Sequence, residues 1–524
     1  MTVLVVGAGI AGLVTTLELL EQGREVVLID RCEPGEVGGL AREAFGGMFM
    51  VDSKEQRRAG IQDSFELAYD DWTRIAEFGP DDDLPRKWAA EYVRRSRDDV
   101  GGWLRGIGVQ FFPVVNWAER GVDGDGNSVP RFHLTWGTGK ALVDAVWGAI
   151  QRHPRRSLLT VLLRTRVVAL LRDNFGGIDG VRLDDSSELR GSAVVIAAGG
   201  VGGNLDIVRR EWPAELGEAP EHILMGSHYY ADGAMHEEVE RLGGNVTHLS
   251  NMWNYADAVR HPEPRRPLHG LKLIPPRSGL MLKPTGERFF PPVMPTFDNY
   301  YALERMCNET EQKYAWLVCN QKIARRELDV SGAQHNPSIR NKNLFRFLTG
   351  ILLGKPTLVR YFVERCPDFV SAGSLPELAR KMADVTGDGA LDPELMEREV
   401  KRYDDTLARG KSLWNDDQIR RIAQLRAWRG DRLRTCKFQQ IADPEAGPLI
   451  AIRLQPMARK SLGGIQTDLD CRVMSEKGPI PGLYAVGEAA GFGGGGLHGK
   501  RALEGTFLGG CVFTGRVAAK AIAQ

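Results

Sequence analysis

The sequence predicts an α/β fold built on a parallel sheet, and three stretches carry the prediction. An apolar run of strand length, Val3 to Val6, is followed at once by GAGIAG, after which Ile10, Leu13, Leu17 and Leu20 recur at helical spacing. Further on, TRVVALL, DGVRLDD and AVVIAAGG look like a β-meander followed by an apolar strand running into Gly199-Gly200. Near the other end, IPGLYAVGEAAG gives one more strand, closing on Gly487-Glu488.

The first stretch also specifies chemistry. Gly7 permits a tight turn, Gly9 lets the backbone approach a pyrophosphate, and Gly12 lets helix and strand pack closely. The helix start offers unpaired N–H groups to phosphates. REVVLID supplies the second strand and ends at Asp30, 18 residues after Gly12, where a carboxylate can accept hydrogen bonds from a ribose. Strand, helix and acid together point to a bound dinucleotide. A second glycine-rich segment, VGGLAREAFGGMFMVDS, follows directly. It is superfluous for NAD but fits a backbone that passes close to an extended flavin dinucleotide, so the expected cofactor is FAD.

The α/β rhythm breaks after about residue 250, where HPEPRRPLHGLKLIPP begins a proline- and arginine-rich passage. A helix-rich segment of mixed charge then runs to about residue 440, and LQPMARKSLGGI returns to the earlier pattern. Length alone, 524 residues, suggests two to four domains. Lys plus Arg equals Asp plus Glu, 68 each, so no global field recruits nucleic acid. The seven cysteines are scattered without C-x-x-C, which argues against a disulfide framework or zinc site and fits a reducing compartment. No basic n-region or long apolar run appears. The expectation is a cytoplasmic, soluble protein without an integral membrane segment.

The chain resembles the fumarate reductase / 3-ketosteroid dehydrogenase superfamily of flavoproteins, and most closely its "FAD-binding dehydrogenase" branch. GGLAREAFGG, SVPRFHLTWGTG, YADGAMHEEVERLGG, GERFF, VTGDGALDPELMEREVKRYDDTLARGK, SLGGIQTD and GLYAVGEAAG…HGKRALEGTFLGG carry the resemblance over nearly the whole length. It implies a Rossmann-like FAD-binding domain in two pieces, residues 1–255 and 446–524, interrupted by an α+β capping domain over 256–445. The implied FAD contacts are Gly7, Gly9, Ile10, Ala11, Gly12, Asp30, Arg31, Gly38, Gly39, Leu40, Ala41, Gly46, Gly47, Val168, Ala198, Gly199, Gly487, Glu488, Phe507 and Leu508. Family members that attach FAD covalently use a histidine near GGLAREAFGG; none lies there, so the flavin is expected to be non-covalent.

The same resemblance removes one activity. The His-His pair of fumarate reductases is replaced by Arg459 and Lys460, and their proton-donating arginine falls on Thr296. The ketosteroid dehydrogenases place a tyrosine near Thr296, where this chain has Phe297, Tyr300 and Tyr301 close by. Their second catalytic tyrosine falls on Arg501 and their glycine oxyanion donor on Gly505. The stretch GFGGGGLHGKRALEGTFLGG is therefore read as the flavin and substrate floor, with His498, Arg501, Gly505 and Tyr300 as the catalytic candidates and Lys500 directed to solvent. A helix beginning near Gly505 would favour negative charge at the flavin and on a substrate oxygen. Arg459-Lys460 is read as compensating flavin charge, and His133 as structural.

The function expected is FAD-dependent desaturation of a ketone at carbons α and β to the carbonyl, or the reverse ene reduction, on a cyclic or steroid-like substrate. An external electron acceptor or donor completes the cycle. The alternatives are a flavin oxidase or monooxygenase, and a degenerate flavin-binding protein.

Overall fold

In a computed structural model describing residues 2–122 and 124–524, the first strand, Thr2–Val6, lies inside a six-stranded sheet. It pairs in parallel with Glu25–Ile29 on one side (Val3 opposite Val26) and with Ala193–Ile196 on the other (Val3 opposite Ala193). Leu159–Leu162 extends the sheet beyond Glu25–Ile29, and Gly478–Ala485 extends it beyond Ala193–Ile196. Thr2–Val6 is therefore the point from which the strand order runs outward both ways. In such sheets ligands bind beyond the carboxyl ends of the strands, at that point. Val3, Leu4, Val5 and Val6 are all buried, Val3 and Val5 against the helix that follows and Leu4 and Val6 on the other face, against the antiparallel meander described next.

The expected meander is a separate antiparallel sheet of Val167–Arg172, Ile178–Leu183 and Glu188–Arg190. Helix Ile10–Glu21 packs on the C-terminal helix, Thr506–Ala523. A Cβ on Gly515 would lie 2.8 Å from the Ala11 carbonyl oxygen, and Thr15 Oγ1 donates to the Gly515 carbonyl at 3.3 Å. That contact brings the last helix's N-terminus to the turn after the first strand.

A second, eight-stranded sheet is organised around the long strand Leu449–Ser461. It pairs antiparallel with Met252–Arg260, Ala315–Asn320 and Phe369–Ala372, and parallel with Leu224–Met225. Divisions placed at 255 and 446 therefore fall on or beside strands that belong to one sheet. Its strands carry Tyr255, Lys272, Arg459 and Lys460 to the edge of the crevice beside the first sheet.

Candidate active site

A cavity of about 350 Å³ runs from the turn after the first strand to the second sheet. Its first part is built largely of backbone. Gly7, Gly9, Ile10 and Ala11 line it, and no side chain caps the helix that starts at Ile10. Gly9 has an ordinary φ of −69°, and a Cβ there would meet nothing nearer than the Ala197 carbonyl at 4.0 Å. The side chain would enter the cavity, so the requirement for glycine comes from whatever occupies that space. Gly12 lies behind the wall, where a Cβ would fall 1.9 Å from the Gly7 carbonyl oxygen; its role is helix–strand packing.

Asp30 lines the cavity with its carboxylate already engaged: the Ala8 N–H donates to it at 2.5 Å and the Cys32 N–H at 2.7 Å. It thus ties the glycine turn to the end of the second strand. Arg31, beside it, is held by Asp232 Oδ2 at 2.7 Å and by the Tyr230 carbonyl. Gly38, Gly39, Leu40, Ala41, Gly46, Gly47, Ala198, Gly199, Glu488, Phe507 and Leu508 also line the cavity. Besides Gly12, two expected contacts do not. Val168 points outward, 43% exposed, while Val167 lines the wall, as the two-residue period of a strand dictates. Gly487 sits behind the wall, its N–H donating to Thr514 Oγ1 at 2.9 Å.

The turn with room at Gly9, the uncapped helix start and the adjacent carboxylate fit a dinucleotide phosphate and ribose. Glu488 is half-buried at the other flank; its desolvation there pushes the carboxyl up to about 7, drawn back only in part by the Ser461 N–H and by Lys460.

Three of the four catalytic candidates lie elsewhere. His498 is fully buried, stacked on Trp72 at 5.6 Å and edge-on to Phe492, with Nε2 2.7 Å from Thr506 Oγ1. Burial, then Lys460, holds it well below the usual histidine range, so it is neutral. Arg501 turns away to Glu77 Oε1 at 3.0 Å and the Ile75 carbonyl, and Lys500 to Glu77 and Glu215. Tyr300 is buried with its hydroxyl on Glu215 Oε1 at 2.7 Å; the neighbouring Asn299 faces the cavity instead. Gly505 alone of the four lines the cavity, as the N-cap of the C-terminal helix with φ +97°.

The reactive-looking groups come from the second sheet and from the residue before Gly505. The Tyr255 hydroxyl donates to Glu504 Oε1 at 2.6 Å, and Trp253 Nε1 donates to the same oxygen at 3.2 Å. Lys460 Nζ lies 3.3 Å from the Tyr255 oxygen and 3.7 Å above the Phe507 ring. Lys272 Nζ sits 3.8 Å from Glu504 and 3.8 Å over the Tyr255 ring. Burial brings Lys460 down to about 8. Burial opposes ionisation of Glu504 too, yet Lys460, Lys272 and the donors from Tyr255 and Trp253 hold it at about 2. Tyr255 is pushed well above the usual phenol range by burial and by the Glu504 carboxylate. Glu119, across the cavity, is raised by burial and by Asp298 and Glu504, and accepts from the Asn299 N–H at 3.1 Å. Of this set only Lys460 had a signal in the sequence, as half of a cationic pair. Tyr255 reads there as one aromatic in NMWNYADAV, and Glu504 as a spacer between Leu503 and Gly505.

The FAD binding domain family matches residues 2–508. A KsdD-like steroid dehydrogenase of Mycobacterium tuberculosis is 42% identical over 545 aligned positions, covering 99% of this chain and 95% of its own. Among solved structures, 3-ketosteroid delta1-dehydrogenase from Sterolibacterium denitrificans superposes with a TM-score of 0.74 at 15% identity, covering 100% of this chain and 99% of that one. The open conformation of a flavocytochrome c3 fumarate reductase gives 0.69 at 20% identity, covering 100% and 78%. At these identities the two structures speak to the fold alone.

Proposed function

The chain belongs to the FAD binding domain family, and from that premise we propose that it is an FAD-dependent oxidoreductase acting on a CH–CH pair next to the carbonyl of a steroid-like ketone. The reaction is desaturation or the reverse ene reduction. The 42% identity to a KsdD-like steroid dehydrogenase over almost the full length supports the substrate class. FAD, when bound, supplies the two-electron centre for the hydride.

The chain's own residues would divide the rest. Gly7, Gly9 and the first turn from Ile10 would hold the pyrophosphate, with Asp30 on the ribose side and Gly38–Ala41 and Gly46-Gly47 alongside. The uncapped start of the C-terminal helix at Gly505, with Phe507 and Leu508, would face the charge-accepting end. Proton handling falls to Tyr255 and Lys460. Lys460, brought to about 8, can gain or lose a proton near neutral pH, as an efficient acid–base group must. Lys460 donates toward the Tyr255 oxygen, and Glu504 holds the Tyr255 hydroxyl proton in the resting site; the hydroxyl would serve a substrate oxygen by turning from Glu504 toward it. A guanidinium at Arg501 is not needed in this arrangement. Electrons pass to, or come from, an external partner.

The observation that carries this assignment is the chain of contacts Lys460–Tyr255–Glu504 on the cavity wall, ending one residue before Gly505. The test is anaerobic mixing of the yellow protein with saturated and unsaturated steroid-like ketones. Bleaching by a saturated ketone, lost in Tyr255→Phe with flavin content unchanged, is expected. Bleaching that survives intact in Tyr255→Phe would remove that residue from the chemistry, and no bleaching by any ketone would remove the substrate class.

A further inference from the structure

Helix Leu344–Leu353, LFRFLTGILL, inverts the usual pattern of a surface helix. None of its residues is buried, although eight of the ten are apolar or glycine and the helix is 10 residues long. Leu344, Phe345, Leu348, Leu352 and Leu353 are 58%, 77%, 48%, 62% and 73% exposed, five of the thirteen exposed large apolar side chains among the described residues. At about 100° per residue, Leu344, Phe345, Leu348 and Leu352 fall within one outward stripe. Phe347 points the other way and holds the helix to the body through Phe112 at 5.0 Å and Trp136 at 6.0 Å. The apolar stripe thus faces outward by construction.

The flanks carry one sign of charge. From Val330 to Val363 the sequence has no Asp or Glu but has Arg340, Lys342, Arg346, Lys355 and Arg360, in a chain whose acids and bases balance overall. Lys355 is engaged by Asp329. Arg340, Lys342, Arg346 and Arg360 have no carboxylate partner among the described residues. Asp144, the acid on the neighbouring surface, is already taken by Lys140 and Arg42.

We infer that this helix docks the protein on an anionic lipid bilayer, lying in the plane of the headgroups with its apolar stripe in the acyl boundary. An exposed apolar stripe flanked by unpaired Lys and Arg is the chemistry of an interfacial helix. Ten residues span about 15 Å, half of a hydrocarbon core, so the helix lies on the membrane and does not cross it. A second copy of the chain is the weaker fit: a stable dimer face takes about 20–30 residues a side, and cations massed around a two-fold axis would repel. The chain reaches this helix from the cavity wall, where Ser331 lies, so docking would set the cavity near a reservoir of apolar ketones.

The test is co-sedimentation of the flavin-loaded protein with vesicles. Binding to phosphatidylcholine vesicles containing a quarter phosphatidylglycerol is expected, weakened by high salt and much weaker on pure phosphatidylcholine. Lys342→Gln with Arg346→Gln should lower partitioning by about thirtyfold. Phe345→Ser with Leu352→Ser should lower it by roughly a hundredfold. Both double variants should keep normal flavin content and turnover in solution. No vesicle binding by the unaltered protein would overturn the inference. So would equal binding to both vesicle types, or a concentration-dependent dimer that Phe345→Ser with Leu352→Ser dissolves.

Discussion

Two segments of this chain are rich in glycine, and a Cβ added to each meets very different surroundings. On Gly9 it would project into the cavity, with the nearest protein atom 4.0 Å away. On Gly493 it would lie 2.8 Å from the Trp88 ring, and on Gly499 2.2 Å from the Ala76 carbonyl oxygen. Of the residues from Gly493 to Ala502, none lines the cavity. The first segment keeps space open for a ligand. The second lets the chain fold into a knot against the Asp83–Arg95 helix, the Ala76 turn and the Thr247–His248 strand end, and the knot in turn seats the C-terminal helix. Glycine therefore reports close approach, and only the surroundings say whether a cofactor or the protein does the approaching.

Gly9→Val gives the largest expected effect: complete loss of yellow colour and activity, with the apo protein unfolding at an unchanged midpoint. A fall in apo stability would mean that the Gly9 side of the comparison is also packing. Tyr255→Phe comes next, with a loss on the order of 10²–10³ in kcat, as for removal of one preorganised donor, at full flavin content. Gly499→Ala should act oppositely to Gly9→Val. It keeps the cavity but destabilises the apo fold by about 2–4 kcal/mol, since φ is +62° and the added methyl meets backbone; chemical denaturation reads this directly.

Smaller effects separate the knot from the cavity wall. With Lys460 at about 8, it is cationic below that pH and neutral above it. If the cation donates, kcat falls as pH rises through about 8, and Lys460→Arg, which stays charged, flattens that limb. An unchanged limb in Lys460→Arg would take Lys460 out of proton handling. Arg501→Met removes a pair with half-exposed Glu77 and a 3.7 Å contact with buried Asp298, so it should cost about 1–3 kcal/mol of stability and leave turnover near normal. A large kcat loss in this variant would return Arg501 to the active site.

The nucleotide end of this protein can be read along its first thirty residues. A strand, a G-x-G-x-x-G turn, an apolar helix and an acid at the end of the next strand are all local, each following from residues within about thirty positions of Gly7. The meander and the last helix were legible for the same reason, since their period and length lie in contiguous sequence. Which cations and tyrosines face the cavity was decided by tertiary structure. Tyr255, Lys272, Lys460 and Glu504 come from four separate places along the chain, brought together by antiparallel pairing between Met252–Arg260 and Leu449–Ser461 and by the docking of the C-terminal helix on the first. His498 and Arg501 stand beside a glycine run in sequence, yet those glycines let Trp72, Trp88 and Ala76 close over the segment and turn both side chains away. Proximity along the chain fixes backbone geometry; the direction of a side chain is settled only by what packs against it.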